Sequence, residues 1–295
     1  GLPQSERIAR IVIHPQNSAT LWVAVQGPLW GAGEDRGVYK STDFGESWER
    51  VLYVNEHTGC ADLAIDPQNP EVLYAAMWEH QRFPDFFNSG GPGSGLYRST
   101  DGGQTWQELR NGLPEGLLGR IGIGLASSAP QTIYISVETE KEEEKGLYKS
   151  TDGGENWSMV SDQFNTKVRP FYFSRVVVDP TDPEKVYKCG LNLIVSDDGG
   201  EGFRTVGSNV HSDVHDVWIN PQNPNHVVIA TDGGLYRSLD GGYYYEMMMN
   251  LPLSQYYQVA VDDAEPYRIY GGLQDNGCWR GPSQAPGGVQ NRDWD

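Results

Sequence analysis

The phrase His211-Ser-Asp213-Val-His215-Asp216 combines residue types that bind metals. Imidazole and carboxylate groups are ligands that zinc takes in proteins. Residues two apart on an extended strand lie about 6.7 Å apart, so the outer two histidines would be about 13 Å apart, too far for one ion unless the loop curls. His211, Asp213 and His215 are therefore weak metal candidates. We expect these histidines to bond to backbone or carboxylate groups, with no metal and no cofactor.

Acid–base chemistry on a sugar bond would need two carboxylates facing one cleft, about 5–5.5 Å apart for retention or about 6.5–9.5 Å apart for inversion. The candidate acids are Glu56, Asp62, Glu79, Asp213 and Asp216. The sequence alone pairs no two of them. Binding or scaffolding, with a protein, peptide or glycan as ligand, is therefore the first hypothesis. Glycoside hydrolysis is its alternative, and a metal-dependent hydrolase that uses the histidine phrase is a third.

Aromatic, basic and amide side chains are concentrated in long, irregular segments that separate shorter, regular ones. Such a mixture suits recognition of sugars or peptides, and binding residues usually lie on loops carried by a rigid scaffold. The predicted ligand-binding residues are Arg10, Trp30, His57, Trp78, His80, Arg120, Arg175, His211, His215, Tyr257, Gln274 and Asp275. The alternative is that these residues bind no ligand: most would simply be solvated loop residues, and some would pack into the core.

A short apolar run recurs along the chain, and the residue just before each run is usually polar or charged. The residues at this position are Arg10, Asp62, Gly122, Arg175, Asp216 and Gln258. If each run is the innermost strand of a repeated unit, these residues lie at the mouth of a central channel. Two interpretations stay open: the position is polar because a channel is wet, or it forms an axial ligand site of mixed charge.

These runs belong to a repeat whose clearest part reads Ser-Thr-Asp-Gly-Gly-x-x-Trp. Its five aspartates are Asp43, Asp101, Asp152, Asp198 and Asp240, spaced 58, 51, 46 and 42 residues apart. That spacing is typical of a four-stranded propeller blade. A short carboxylate can close a turn by accepting backbone N–H groups, and glycine supplies the positive φ that the turn requires. We therefore predict that these aspartates are structural.

A second motif, an Asx-Pro turn between two apolar runs, supplies the other two strands of each repeat. The sequence predicts an all-β chain, a β-propeller of four-stranded antiparallel blades with Asp-box turns. The repeats fall at about 8–52, 60–109, 120–160, 174–206 and 215–248, with a partial sixth at 257–280. Because an incomplete ring leaves exposed edges, we expect residues 1–295 to be one incomplete propeller of seven or more blades.

Composition excludes several classes of protein. With 22 basic and 40 acidic residues, the net charge of −18 opposes nucleic-acid binding, which needs a basic face. No stretch approaches the roughly 20 apolar residues of a transmembrane helix. Cys60, Cys189 and Cys278 are too few for a disulfide framework, so we expect isolated thiols.

The box resembles the repeat of BNR, or Asp-box, proteins such as sialidases, tandem-propeller xyloglucanases and sortilins. Phrases such as Tyr270-Gly-Gly-Leu-Gln-Asp-Asn-Gly277 are similar to large bacterial sortilin-like proteins labelled glycosyl hydrolase. The resemblance implies an extracytoplasmic protein. From the residues we expect a protein or glycan ligand on the face that carries the long loops, and the propeller fold leaves other subunits of a larger assembly open as further partners. Thr231-Asp232-Gly-Gly-Leu-Tyr-Arg237 resembles a xyloglucanase phrase with one residue deleted, so Asp232 is a weak catalytic candidate. The arginine cluster and Arg-Ile-Pro phrase of sialidases are missing.

Overall fold

The computed structural model describes residues 1–251 and 254–295, which are built almost entirely from β-strands. Blade 1 contains β1 (Ile8–Ile13), β2 (Leu21–Val25), β3 (Gly37–Ser41) and β4 (Glu49–Leu52). Blade 2 contains β5 (Thr58–Ile65), β6 (Leu73–Arg82), β7 (Phe87–Ser89), β8 (Gly95–Ser99) and β9 (Gln107–Leu109). Blade 3 contains β10 (Leu118–Leu125), β11 (Ile133–Thr139), β12 (Gly146–Ser150) and β13 (Ser158–Ser161).

Blade 4 contains β14 (Val176–Val178), β15 (Val186–Lys188), β16 (Ile194–Ser196) and β17 (Arg204–Thr205). Blade 5 contains β18 (Val214–Ile219), β19 (Val227–Thr231), β20 (Gly234–Ser238) and β21 (Glu246–Met247). Blade 6 contains β22 (Tyr256–Val261), β23 (Arg268–Leu273) and β24 (Cys278–Pro282). A four-residue α-helix, α1 (Phe164–Lys167), and two short 3-10 helices (Glu142–Glu144 and Asn291–Asp293) lie between or after these strands.

Each blade is an antiparallel meander whose strands, A to D in blades 1 to 5 and A to C in blade 6, pair in chain order. In blade 2, β7 is an additional strand that pairs with the end of β6. In blade 6 the sequence indicated strands A and B, and the structure adds a third strand, β24. The predicted all-β propeller of four-stranded antiparallel blades is confirmed, while the total number of blades remains a prediction.

Hydrophobic cores lie between neighbouring blades from blade 1 to blade 5, because the sheets of blades 2, 3 and 4 bury residues on both of their faces. Leu63 and Met77 of blade 2 pack with Trp22 of blade 1, whereas Tyr74 and Ala76, one residue out of phase with Met77, pack with blade 3. Two further clusters join blade 3 to blade 4 and blade 4 to blade 5. Successive side chains of a strand point to opposite faces of its sheet. Because both faces of these sheets are buried, successive residues are apolar and the runs are nearly continuous in the sequence.

A β-bulge interrupts strand A in five of the blades. The pairing shifts between Ile8 and Arg10, Cys60 and Asp62, Leu118 and Ile121, Val214 and Asp216, and Tyr256 and Gln258. A bulge bends its strand and changes the direction of the neighbouring side chains. In four of these strands the residue after the shift is the polar residue predicted to lie at the channel mouth.

The Asp-box of blade 3 shows how the repeated turn is closed. Ser150 Oγ donates to Asp152 Oδ1 at 2.8 Å and accepts the Gly154 N–H at 2.9 Å. The backbone N–H of Asn156 donates to the same carboxylate oxygen at 3.0 Å. Hydrogen bonds from the side chain and backbone of Asn156 lower the pKa of Asp152 to about 2. Equivalent Ser–Asp bonds are present at Asp43, Asp101, Asp198 and Asp240.

The two ends of the blades carry different kinds of connection. In every box an N–H after the aspartate donates to the A–B turn of the same blade, as Gly153 does to the Gln131 carbonyl at 3.0 Å. At the opposite end the longer B–C and D–A loops contact each other, as where the Asp213 N–H donates to the Leu191 carbonyl at 3.0 Å. We call this second surface, formed by loops 26–36, 53–57, 83–94, 110–117, 140–145, 162–175, 189–193, 206–213, 232–233 and 274–277, the loop-rich face.

Candidate functional site

Four charged residues from four blades meet near the blade axis at the loop-rich face. Arg10 Nε donates to Asp62 Oδ1 at 3.1 Å, and Arg175 Nε donates to Asp216 Oδ1 at 2.7 Å. Contacts of 3.8 Å join Arg10 to Asp216 and Arg175 to Asp62. The charges alternate around a closed ring, which we call the axial network. The two positive charges of the arginines neutralise the two negative charges of the aspartates. The network therefore has no net charge with which to attract a charged ligand.

The carboxylate of Asp62, a candidate catalytic acid, is nearly buried and already has several partners within the protein. Its side chain is only 7% exposed, and besides the arginines it accepts the backbone N–H groups of Leu63 at 3.0 Å and Ile123 at 2.9 Å. Asp216, whose side chain is 46% exposed, also accepts the Val217 N–H at 2.9 Å. Both acids therefore hold the blades together.

The two remaining channel-mouth residues do not join the axial network. A Cβ at Gly122 would lie 1.8 Å from the Ser174 carbonyl oxygen, so glycine is required where blade 4 approaches blade 3. Gln258, in blade 6, is exposed.

Aromatic rings and arginines lie in two neighbouring groups beside this network. Trp78 stacks on His80 with 4.2 Å between ring centroids and meets the edge of Phe87 at 5.8 Å. The Arg120 guanidinium lies 5.1 Å from the centre of the Trp78 ring, and its Nη1 donates to the Phe171 carbonyl at 2.7 Å. The first group thus links blade 2 to the loop between blades 3 and 4.

The second group lies toward blade 5 and includes Tyr172. This ring meets the edge of His215 at 5.1 Å and of Phe173 at 4.8 Å, and Arg169 lies 5.0 Å from its centre. His215 Nε2 lies 2.7 Å from Asp232 Oδ1 in the B–C turn of blade 5. We call these two groups of rings, from His80 to Phe171 and from Tyr172 to His215, the aromatic strip; Tyr172 is exposed, with 42% of its surface accessible.

The two histidines of the phrase His211–Asp216 form hydrogen bonds with different partners. His211 bonds to the carbonyl oxygens of Ser212 at 2.8 Å and Asp275 at 3.2 Å, and the Ser212 bond raises the pKa of His211. His215 pairs with Asp232 instead. In the described ranges, no three His, Cys, Asp or Glu side chains gather as a metal would require. The structure therefore does not bring His211, Asp213 and His215 together as ligands.

A pocket of about 390 Å³ opens beside the strip, at the end of blade 2. Its lining residues are His57, Glu79, His80, Gln81, Phe83, Phe86 and Asn88. Phe83 and Phe86 stack with 4.3 Å between centroids, and Phe86 is 54% exposed. Glu79 Oε2 accepts the Gly93 N–H at 2.8 Å, which fixes the carboxylate on one wall.

Two of the predicted ligand-binding residues are buried. Trp78 is 2% exposed and His80 is 0% exposed, because β6 carries both beneath β7 and the loop of blade 1. Burial also lowers the pKa of His80 to about 4. Trp78 and His80 stack on each other within the strip, and His80 also lines the pocket, so contact with a ligand stays a prediction for both residues.

The other candidates are spread over the loop-rich face. Glu56 lies 3.5 Å from His57, Arg120 belongs to the strip, and Trp30, 62% exposed, lies in the blade 1 loop beside Gln81. Tyr257 and Asp275 are exposed, and Gln274 is half-buried, all in blade 6. The structure brings His57 and Glu79 together in the pocket but leaves Asp232 with His215 on the far side of the strip.

Sequence reasoning missed Gln81 and Asn88, which give the pocket its amide groups. Both follow from the unusual length of β6, whose ten residues extend past the blade and pair with β7. The sequence gives no periodic signal for this extension, because the apolar run from Leu73 to Trp78 is followed by four consecutive polar residues, from Glu79 to Arg82.

The bladed fold, the closed Ser–Asp turns and the loop-rich face define a β-propeller of the Asp-box class. The model of the BNR/Asp-box repeat matches residues 97–108 and 148–159, so the chain carries BNR/Asp-box repeats. In blade 2 and blade 3 these matches cover the turns built on Asp101 and Asp152.

Curated relatives are named xyloglucanases. Xyloglucanase Xgh74A of Acetivibrio thermocellus is 29% identical over 152 residues, covering 43% of this chain and 16% of that protein. A xyloglucanase of a Paenibacillus species is 26% identical over 224 residues, covering 68% of this chain and 20% of that protein. The chain therefore spans a fifth or less of the length of these relatives.

Solved structures show the same fold at low sequence identity. An ancestral GH74 enzyme superposes with a TM-score of 0.59 at 15% identity, covering 98% of this chain and 40% of that chain. YCF48 from Cyanidioschyzon merolae gives a TM-score of 0.53 at 14% identity, covering 95% of this chain and 83% of that chain. Within the described residues, no helix is long and apolar enough to cross a membrane.

Proposed function

We propose that the chain is an extracytoplasmic binding or scaffold propeller whose loop-rich face recognises a glycan. The observation that carries the proposal is the pocket of blade 2 with its exposed aromatic neighbours. Phe86 and Trp30 are 54% and 62% exposed, and the pocket presents Glu79, Gln81 and Asn88. Ring faces beside a few polar groups are the usual composition of a small-ligand site, and both features suit the apolar faces and hydroxyl groups of a sugar.

The carboxylates support binding over catalysis. Asp62 and Asp216 are held in the axial network, Glu79 is held by Gly93, and Asp232 is held by His215. A catalytic acid or base must be free to exchange a proton with the substrate. Four of the six candidate acids therefore already have a hydrogen-bond or ion-pair partner within the protein. The xyloglucanase names of the relatives support a glycan over a peptide as the ligand.

Glycoside hydrolysis is the second candidate function. It is favoured by the position of Asp232 at the rim of the loop-rich face, 23% exposed in its side chain, together with the xyloglucanase relatives. If this residue acts in catalysis, its hydrogen bond to His215 would orient the carboxylate.

Titration with soluble xyloglucan, followed by calorimetry, tests the binding proposal. We expect Phe86→Ala and Trp30→Ala each to weaken binding about tenfold, since loss of one stacked ring costs about 1–1.5 kcal/mol. Phe44→Ala is the matched control, because Phe44 is 72% exposed on the opposite end of the blades. Absence of binding, or equal loss in the control, would contradict glycan recognition at the pocket.

Release of reducing ends from the same polysaccharide separates the two functions. The binding proposal expects no release above background. Release that disappears in Asp232→Asn would establish the hydrolase instead.

A further inference from the structure

An arginine is buried inside the loop of blade 1 that carries Trp30. Residues 26–36, which connect β2 to β3, contain no strand or helix; we call them the 26–36 loop. Arg36, the last residue of this loop, is fully buried, and burial lowers the pKa of its guanidinium group. A Cβ at Gly27, where φ is 80°, would lie 2.6 Å from Arg36 Cγ, so the backbone of the loop lies directly against the arginine.

The guanidinium group binds the backbone of its own loop. Arg36 Nη1 donates to the Gln26 carbonyl oxygen at 3.0 Å, and Nη2 donates to the carbonyl oxygens of Pro28 at 2.7 Å and Gly31 at 2.9 Å. A buried charge is costly unless hydrogen bonds replace its water, and the fixed N–H groups of a planar guanidinium can bind several acceptors at once. Trp30 lies between the last two of these carbonyl groups in the chain. The conformation of the backbone beside Trp30 therefore depends on Arg36.

The 26–36 loop is also bonded to the residues around the pocket of blade 2. The Leu29 carbonyl oxygen accepts the Arg82 N–H at 2.7 Å, and the Gly33 N–H donates to the Glu56 carbonyl oxygen at 2.8 Å. Gln81, which lines the pocket, donates from Nε2 to the next carbonyl of the loop at 3.4 Å. The loop is thus fixed against the end of β6 and against the loop that follows blade 1.

Arg36 itself reaches one of the pocket residues. Its Nη1 lies 3.4 Å from His80 Nδ1, and His80 lines the pocket. The same ring nitrogen lies 3.2 Å from the Trp78 carbonyl oxygen, so the imidazole is held between the arginine and the backbone of β6. One buried side chain therefore fixes both the loop that carries Trp30 and a residue of the pocket.

A second buried cation offers a comparison away from the pocket. Lys188 of blade 4 is buried, and its Nζ donates to the carbonyl oxygens of Phe173 at 2.7 Å and Cys189 at 2.8 Å. Like Arg36, it satisfies its charge with backbone carbonyl groups. Its partners belong to blade 4 and to the loop before it, so its removal should affect stability without affecting the 26–36 loop.

We propose that Arg36 is a positioning residue of the glycan site, which holds Trp30 beside the pocket in the orientation that binds the ligand. This inference rests on the proposed function, since Trp30 is one of the ring contacts assigned there. Ordering a loop on binding costs conformational entropy, and a loop that is already ordered avoids that cost. Trp30 therefore contributes to affinity only while Arg36 holds the 26–36 loop.

Calorimetric titration with soluble xyloglucan tests this coupling. Arg36→Met should weaken binding about tenfold, the loss expected for Trp30→Ala alone, and adding Trp30→Ala to it should cause no further loss. Phe86→Ala should still weaken binding about tenfold in the Arg36→Met background, because Phe86 stacks on Phe83 and not on the loop. Lys188→Met is the matched control, and it should change neither the affinity nor the effect of Trp30→Ala.

Fluorine NMR of protein labelled with 5-fluorotryptophan tests the positioning without a ligand. The chain has 9 tryptophans, and the resonance that is absent from Trp30→Ala belongs to Trp30. In Arg36→Met we expect this resonance to sharpen and to move toward its position in urea, whereas in Lys188→Met it should stay in place. If xyloglucan binds none of the proteins but the resonance responds only to Arg36→Met, the glycan proposal is wrong and the positioning of Trp30 by Arg36 is upheld.

Arg36→Lys provides a second variant if Arg36→Met does not fold. It keeps the positive charge but loses the planar fork that binds the three carbonyl groups, so the Trp30 resonance should move in the same direction by a smaller amount. A Trp30 resonance that is unchanged in the folded Arg36 variants would overturn the proposal. Additive losses of affinity for Arg36→Met and Trp30→Ala, or an equal response to Lys188→Met, would overturn it as well.

Discussion

Replacing Asp62 by Asn should destabilise the fold far more than the same change at Asp216. Both aspartates bind arginines of the axial network, but their side chains are 7% and 46% exposed. Breaking a buried ion pair costs about 3–5 kcal/mol, and the roughly quarter-exposed arginines reduce this to about 3 kcal/mol for Asp62→Asn. For the exposed Asp216 we expect about 1 kcal/mol or less.

Urea unfolding followed by tryptophan fluorescence measures the difference. With a slope of about 3 kcal/mol/M, the midpoint of Asp62→Asn should fall by about 1 M and that of Asp216→Asn by about 0.3 M. Replacing Arg175 by Met should then cost less in the Asp62→Asn background than in the parent, because the two side chains share a contact. Equal costs for the two aspartates, or strictly additive costs with Arg175, would refute the role assigned to the network.

Three further predictions follow from burial and hydrogen bonding. Cys278 is exposed, whereas Cys60 and Cys189 are buried, with burial raising the pKa of Cys189 to about 12; a thiol reagent should therefore titrate one cysteine in the native protein and three in denaturant. Bonds to Asn156 lower the pKa of Asp152 from 3.8 to about 2, so its stabilisation is present above pH 3.8 and lost as the pH falls through about 2. The melting temperature of Asp152→Asn should lie below that of the parent at pH 6, and the two should converge near pH 2. Burial lowers the pKa of His80 from 6.5 to about 4, so folding loses about 3 kcal/mol as the pH falls between these values, and His80→Gln should flatten that part of the stability curve.

The fold could be predicted because its signals are local. Each Asp-box turn is closed by residues within four positions of its aspartate, such as Ser99 and Thr105 around Asp101, so the pattern and the structure coincide. Strand alternation and turn residues gave the meander in the same way. The third strand of blade 6 was missed because Cys278–Pro282 ends without a box.

The candidate site was predicted less well because its contacts join residues far apart in the chain. The position of the axial residues followed from the repeat, but their mutual pairing did not, since Arg10 and Asp62 are 52 residues apart. Burial of Trp78 and His80 depends on β7, a strand that the repeated sequence pattern does not predict. A long strand that carries both aromatic and charged residues predicts a site, but only packing decides which of them reach the surface.

The closed axial network bears on where a ligand can bind. Each arginine and aspartate that meets at the axis has a protein partner, and a ligand that displaced the partners of Asp62, whose side chain is 7% exposed, would leave a buried charge unpaired, at a cost of about 3 kcal/mol. Binding across the loop-rich face carries no such cost, because Trp30, Phe86 and Tyr172 are exposed before any ligand arrives. The network therefore favours a ligand that lies along the face over one that enters the channel. An extended, neutral chain such as a glycan meets this condition, and it also avoids repulsion from the net charge of −18.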